Sequence, residues 1–252
     1  MAKMWSCVTV LLLHSIINYF VNCELPSEIE KCVAGDVICI VETINHIVQN
    51  YPNGIPEIGL DSLNAISFNG VVVSEAVPNT PMQMNLKFRT LTVRGFENTT
   101  ILRAKGFDKD LRHGFELSGW TPSIHLDGIY EADGKLMMLP IQGRGQAQVL
   151  LTNCQFTCRA KAIEDLRTDG KRYAQITRVK CLVDIHGLHV NFDNLLDNKE
   201  LSDSMNELIN SNWRDVWHTF RKGISSAVDN VAESILKRVV NKLSHDDFYK
   251  HL

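Results

Sequence analysis

A chain of 252 residues, 44% hydrophobic and 22% charged, can bury a sizeable core and fits one large domain or two small ones. The formal charge of −3 leaves no basic excess to attract phosphate backbones, which argues against nucleic acid as a partner. Lys and Arg are scattered, without a block that would dock on anionic lipid.

Residues 1–23 have the pattern of a secretory leader. Lys3 supplies the positive start, Val8 to Val21 is mostly apolar although His14, Ser15 and Asn18 interrupt it, and Val21 and Cys23 precede Glu24-Leu25-Pro26 at the spacing of a cleavage site. The apolar run falls short of the roughly 20 residues needed to cross a bilayer. The expectation is a secreted, extracellular protein, one domain over 24–252, without stable membrane insertion. Cys7 and Cys23 leave with the leader, so Cys32, Cys39, Cys154, Cys158 and Cys181 meet an oxidising compartment, which suggests two disulfides and one spare thiol. Asn98-Thr99-Thr100 is a glycosylation sequon usable there.

Ser27 with Glu30 forms a capping-box pattern, and Asp36 can cap a second helical segment after Gly35. Val37, Ile40, Val41, Ile44, Ile47 and Val48 then share one helical face, which Tyr51-Pro52-Asn53-Gly54 ends. Cys32 and Cys39 flank the Gly35-Asp36 break, so pairing between them is natural.

From about Ile66 to Phe192 the period becomes two. Met82, Met84, Leu86 and Phe88 alternate with polar neighbours, and the phase slips near Thr90, as a bulge would make it. Phe115 and Leu117, Ile124 and Leu126, and Val179, Cys181, Val183 and Ile185 continue the alternation. Asp133-Gly134 and Asp169-Gly170 are predicted hairpin turns in one long antiparallel sheet. If Asp169 and Gly170 are the two loop residues, Cys158 lies directly opposite Cys181, while Cys154 is roughly 13 Å further along its strand. The expected bridge is Cys158–Cys181, with Cys154 reduced; a longer turn or a bulge would shift it.

The last third turns helical. Leu201 to Ile209 is a short amphipathic piece, and Asn212 can cap a long helix beginning at Trp213. Its stripe runs through Val216, Trp217, Phe220, Ile224, Val228, Val231, Ile235 and Val239, with Arg214, Arg221, Asp229, Glu233 and Lys237 on the other face. Such a stripe must lie on something apolar, and the sheet is the candidate.

Catalytic patterns do not emerge. Gly223-Ile224-Ser225-Ser226-Ala227 lacks the last glycine of a nucleophile elbow and sits inside the predicted helix. Gly143-Arg144-Gly145 begins like a dinucleotide loop, but Gln148 replaces the third glycine; a sheet kink or close-packing site is the better reading. Cys154, Cys158, Cys181, His186 and His189 could be gathered by adjacent strands around zinc, yet the oxidising compartment and the partner for Cys158 argue against it. No enzyme, cofactor or metal is expected.

Leu25-Pro26-Ser27-Glu28-Ile29-Glu30-Lys31-Cys32, Gly54-Ile55-Pro56-Glu57-Ile58-Gly59-Leu60, Phe107-Asp108, Leu117-Ser118-Gly119-Trp120 and Asn191-Phe192-Asp193-Asn194-Leu195 stand in one order, with Gly143-Arg144-Gly145, Met205-Asn206 and Trp213. In these landmarks the chain resembles the Takeout and haemolymph juvenile-hormone-binding protein family of insects. The extra Cys154 and Cys158 exceed the family's usual two-disulfide set. The resemblance implies an α+β, TULIP-like α/β-wrap fold: a long C-terminal helix wrapped by a strongly curved antiparallel sheet, with an internal apolar tunnel. It also implies a secreted carrier or sensor of juvenile hormone or another lipid-like molecule in haemolymph or chemosensory fluid, often under circadian or feeding control. The expected tunnel lining is Met84, Leu86, Phe88, Trp120, Leu126, Val183, Ile185, Trp213, Val216, Trp217, Phe220 and Ile224. The alternative is a signalling protein recognised by a cell-surface receptor without lipid cargo.

Overall fold

The computed structural model describes residues 25–76, 83–136 and 139–250. Residues 1–23, with Cys7 and Cys23, and also Met82, lie outside the described residues.

Helix α1 (Val37–Asn50) begins where Asp36 accepts the Cys39 N–H at 3.1 Å. The capping pattern at Ser27 does not start a helix; the chain there is a turn closed by Ile29 N–H to the Pro26 carbonyl. Among the described residues seven strands follow: β1 (Ile66–Ser74), β2 (Gln83–Arg94), β3 (Thr100–Gly106), β4 (Phe115–Leu136), β5 (Leu139–Leu166), β6 (Arg172–Asp184) and β7 (Gly187–Phe192). Then come α2 (Lys199–Ser211) and α3 (Trp213–Lys242).

The spine is the long β4–β5 hairpin, antiparallel from Phe115↔Ala160 to Leu136↔Leu139. Each spine strand shares its outer edge between two partners. β4 pairs with β3 in its first half and β2 in its second, and β5 pairs with β7 and then β6. The ladder breaks between Thr121↔Cys154 and Ser123↔Thr152, where Pro122 has no N–H to donate and Asn153 takes a left-handed φ of 49°. The β6–β7 break falls beside it, with His186 N–H on the Thr152 carbonyl.

The curl of the sheet follows from two contacts of α3. Gly223 lies against the Val73 carbonyl of β1, and Asp229 accepts the Cys181 N–H of β6 at 2.6 Å. Those helix positions are about 9 Å apart. β1 and β6 are opposite ends of the path β1-β2-β4-β5-β6, which laid flat would separate them by about 19 Å. Only a sheet rolled around the helix brings both ends to it.

Strand edges meet helix side chains rather than water. Asn45 of α1 donates to the Ile101 carbonyl (2.9 Å) and accepts its N–H (2.7 Å). Asn206 of α2 does the same at Phe192 (both 3.0 Å), and Asn210 at Val190 (2.9 and 2.7 Å). Residues four apart on a helix match residues two apart on a strand, so each amide substitutes for a missing strand.

Three local expectations change. The Asp133-Gly134 pair is no turn: β4 continues through it, Gly134 pairing with Met84 and Ile141, because both neighbouring strands extend that far. The other hairpin has a three-residue loop, Arg167 N–H bonding the Lys171 carbonyl around Thr168, Asp169 and a left-handed Gly170. That loop sets Leu166 opposite Arg172, one residue off the two-residue register, and the bulge at Thr177 restores it, so Cys158 still pairs with Cys181. Asp229, placed on the polar face by helical spacing, is buried because the β6 edge needs its carboxylate. The slip near Thr90 is a bulge between Phe88 and Thr90.

Candidate functional site

Between the first half of α3 and the inner face of the sheet lies an apolar cavity of about 120 Å³. Met84, Leu86 and Phe88 enter it from β2, since alternate residues of one strand share a face. Leu126 and Ala132 come from β4, and Val149 and Leu151 from β5. β7 adds Leu188, Val190 and Phe192, and α2 adds Ile209. From α3 come Val216, Trp217, Phe220 and Ile224, positions that return to one side every turn. No lining residue among those described is charged. Further along α3, Val228, Ala232, Leu236 and Val240 pack onto Ala160, Ala162, Ala174 and Ile176. The small alanines let the helix approach closely there.

Eight residues of the expected lining meet in this cavity: Met84, Leu86, Phe88, Leu126, Val216, Trp217, Phe220 and Ile224. Four do not line it. Trp120 pairs with Gln155, which pairs with Asp184, both exposed, while the neighbouring Thr121 is the inward residue at 2% exposure. Trp120 instead lines an open groove of about 450 Å³ with Arg103, Gln155, Leu182, Val183 and Arg221. Alternation could not say which of the two adjacent positions turned inward. Val183 is half-buried at that groove, and Ile185 is buried in the core away from the cavity wall. Trp213 is half-buried, with the Arg214 guanidinium 4.7 Å from its ring centre. Val149, Leu151, Leu188, Val190 and Phe192 are outside the expected lining, and their own alternation marks them as inward once β5 and β7 are aligned.

The wall is braced from behind. Tyr130, fully buried, donates to the Asp193 carbonyl at 2.7 Å and sets its ring edge-on to Phe192 at 4.8 Å. Burial pushes its phenol well above the usual range, so it stays a donor. A Cβ on Gly143 or Gly145 would strike the backbone of 193–195; these two glycines let the segment after β7 lie on β5. This is close packing, without a phosphate loop's strand–helix setting.

Cys32 is bonded to Cys39, and Cys158 to Cys181. Cys154 is a free, buried thiol whose pKa burial pushes up to about 11. His186 and His189 are exposed, whereas Cys154 sits in the core, and among the described residues no group of three or more metal-ligating side chains forms. Asn98 is exposed at the end of a short 3-10 turn (Phe96–Asn98). No helix among the described residues is long and apolar enough to cross a membrane.

The family described as haemolymph juvenile hormone binding protein (JHBP) matches residues 7–250. The circadian clock-controlled protein daywake of Drosophila yakuba is 27% identical over 229 residues, which cover 89% of this chain and 88% of the relative. Daywake of Drosophila melanogaster is 26% identical over the same length, with the same coverage. The crystal structure of Takeout 1 from Epiphyas postvittana aligns with a TM-score of 0.75 at 20% identity, over 88% of this chain and 100% of that one, a likeness of fold.

Proposed function

The chain belongs to the haemolymph juvenile hormone binding protein family, and from that premise we propose that residues 24–252 form one domain, a secreted carrier or sensor that buries a small hydrophobic ligand between α3 and the sheet. The observation that carries the reading is the cavity itself: wholly apolar walls supplied by β2, β4, β5, β7 and both C-terminal helices. The mechanism is burial without chemistry. A ligand of 15 carbons gains about 12 kcal/mol at ~0.8 kcal/mol per methylene, and lost freedom of association removes several of these.

The cavity's 120 Å³ is below the roughly 300 Å³ at which small-molecule sites begin. A terpenoid or long acyl chain therefore enters by displacing wall side chains. Met84 at the wall is unbranched and adapts to such a change. The ligand class is juvenile hormone, another terpenoid or a fatty-acid-like lipid. The daywake relatives are circadian clock-controlled proteins by name, which supports a link to daily regulation.

Titration of delipidated protein with juvenile hormone, a methyl ester and a fatty acid, followed by tryptophan fluorescence, tests the reading. Saturable quenching is expected, because Trp217 lines the cavity. No response to any apolar ligand, together with no lipid retained by protein from its native fluid, would leave the receptor-recognised signalling protein as the better account.

A further inference from the structure

Four short runs on the strands share one pattern, a cation on each side of a buried apolar residue. They are Lys87-Phe88-Arg89 on β2, Arg103-Ala104-Lys105 on β3, Arg159-Ala160-Lys161 on β5 and Arg178-Val179-Lys180 on β6. Alternation turns both cations of each run away from the core. On β2 the charge is partly answered, since Lys87 and Arg89 both pair with Glu131. The other three runs, far apart in sequence, are gathered by strand register. Lys105, Glu116, Arg159 and Lys180 form one row across β3, β4, β5 and β6. Lys161 faces Arg178 in the row on one side, and Arg103 stands in the row on the other.

Two successive cross-strand pairs, Arg159↔Lys180 and Lys161↔Arg178, therefore set like charges directly opposite each other, an arrangement that costs stability. Glu116 answers Arg159 at 2.5 Å and Lys105 at 3.2 Å, and Asp229 answers Lys180 at 2.5 Å. Arg103, Lys161 and Arg178 are exposed and have no acidic partner among the described residues. In a chain of formal charge −3, this outer face is a local cationic surface. The open groove of about 450 Å³ continues it. Arg103 of β3 and Arg221 of α3 bracket the groove, and Trp120, Gln155 and Asp184 stand between them.

We propose that the outer face of β3, β4, β5 and β6 binds a linear anionic glycan. Its sulfate or carboxylate groups lie on the cationic rows, and the apolar face of one sugar ring rests against Trp120. Leu102 and Leu182, 66% and 64% exposed at the groove, make an anionic bilayer the rival occupant. Shape favours the polymer. The sheet is rolled around α3, so its outer face curves away from a flat membrane, whereas a flexible chain can follow it. The apolar cavity is on the inner side of the sheet, so glycan and cargo occupy separate sites.

The test titrates the protein with a heparin octasaccharide over a series of salt concentrations. Binding is expected, and it should weaken as salt rises. Lys161→Gln combined with Arg178→Gln should weaken it about tenfold, the worth of two exposed charge contacts. The slope of log affinity against log salt should become shallower by about 1 to 2. Trp120→Ala should weaken binding with the slope unchanged. Lys87→Gln combined with Arg89→Gln makes the same charge change on the other half of the sheet and should leave binding as in the wild type. A thermal midpoint at or above that of the wild type separates lost binding from lost fold, because the first pair of changes relieves opposed charges. No heparin binding at low salt overturns the proposal, as does unchanged affinity in the Lys161 and Arg178 variant. Equal losses in the two double variants reduce the effect to net charge and overturn the site. Phosphatidylserine vesicles that hold the protein against excess octasaccharide assign the face to a bilayer instead.

Discussion

Asp229 of α3 accepts the backbone N–H of Cys181 at 2.6 Å while pairing with Lys180 at 2.5 Å, and so ties the cavity-lining helix to the free edge of β6. Glu233, four residues on, accepts from Lys237 at 2.6 Å, and the Val179 backbone, two residues back along the strand, helps hold its pKa down. α2 meets β7 through neutral asparagines, whereas α3 meets β6 through the Asp229 carboxylate.

Asp229→Ala should strand a buried N–H and cost about 1–3 kcal/mol. Asp229→Asn keeps an acceptor for Cys181 and should cost less. Urea unfolding midpoints of the two variants check the order; equal losses would mean that the Lys180 pair, not the strand edge, dominates.

Gly223→Ala reverses the usual helix rule. In an exposed helix interior the change stabilises by about 0.5–1 kcal/mol. Here a Cβ would fall on the Val73 carbonyl oxygen, so α3 must move off β1 and the protein should be destabilised. A raised thermal midpoint would contradict that close approach.

The two disulfides close loops of different length, with sequence separations of 7 and 23. On chain entropy, losing Cys32–Cys39 should cost about 2 kcal/mol and losing Cys158–Cys181 about 3 kcal/mol. Cys154 should resist iodoacetamide in the native protein and react once unfolded, because it is 5% exposed with a raised pKa. Mass spectrometry after labelling counts the adducts.

Acid should act in two stages. Burial, reinforced by Arg172, holds the pKa of His245 below 6.5, against the opposing pull of Asp246, Glu164 and the Asp108 backbone. The unfolded imidazole takes up a proton below about 6.5 that the folded one refuses, so stability declines as pH falls from there. Glu116 is held below the usual carboxylate range by Arg159 and then Lys105, and Glu233 mainly by Lys237. Depressed carboxylates stabilise above their unfolded pKa, about 4.3, and lose that contribution as pH falls through the folded value. Urea midpoints against pH should show a shallow decline below 6.5 and a steeper one below about 4.5. His245→Gln should flatten the first limb alone.

What the amino-acid order determined by itself is what short-range geometry controls. Asp36 caps α1, alternation turns Met84, Leu86 and Phe88 to one side, and helical spacing gathers Val216, Trp217, Phe220 and Ile224. These depend on neighbours a few residues away. The Cys158–Cys181 register was legible too, although through a two-residue turn that the chain does not make and a bulge that compensates. Tertiary structure decided the rest. Asp133-Gly134 stays extended because β2 and β5 flank it, Trp120 faces outward because Thr121 takes the inner face, and Asp229 turns inward because a strand edge needs an acceptor. Whether helix and sheet meet or leave a gap depends on how far alanines at Ala160, Ala162 and Ala174 draw α3 down, and on how bulky β2 and β7 hold it off beside Trp217. That separation arises between segments more than a hundred residues apart in places, where no local pattern reaches.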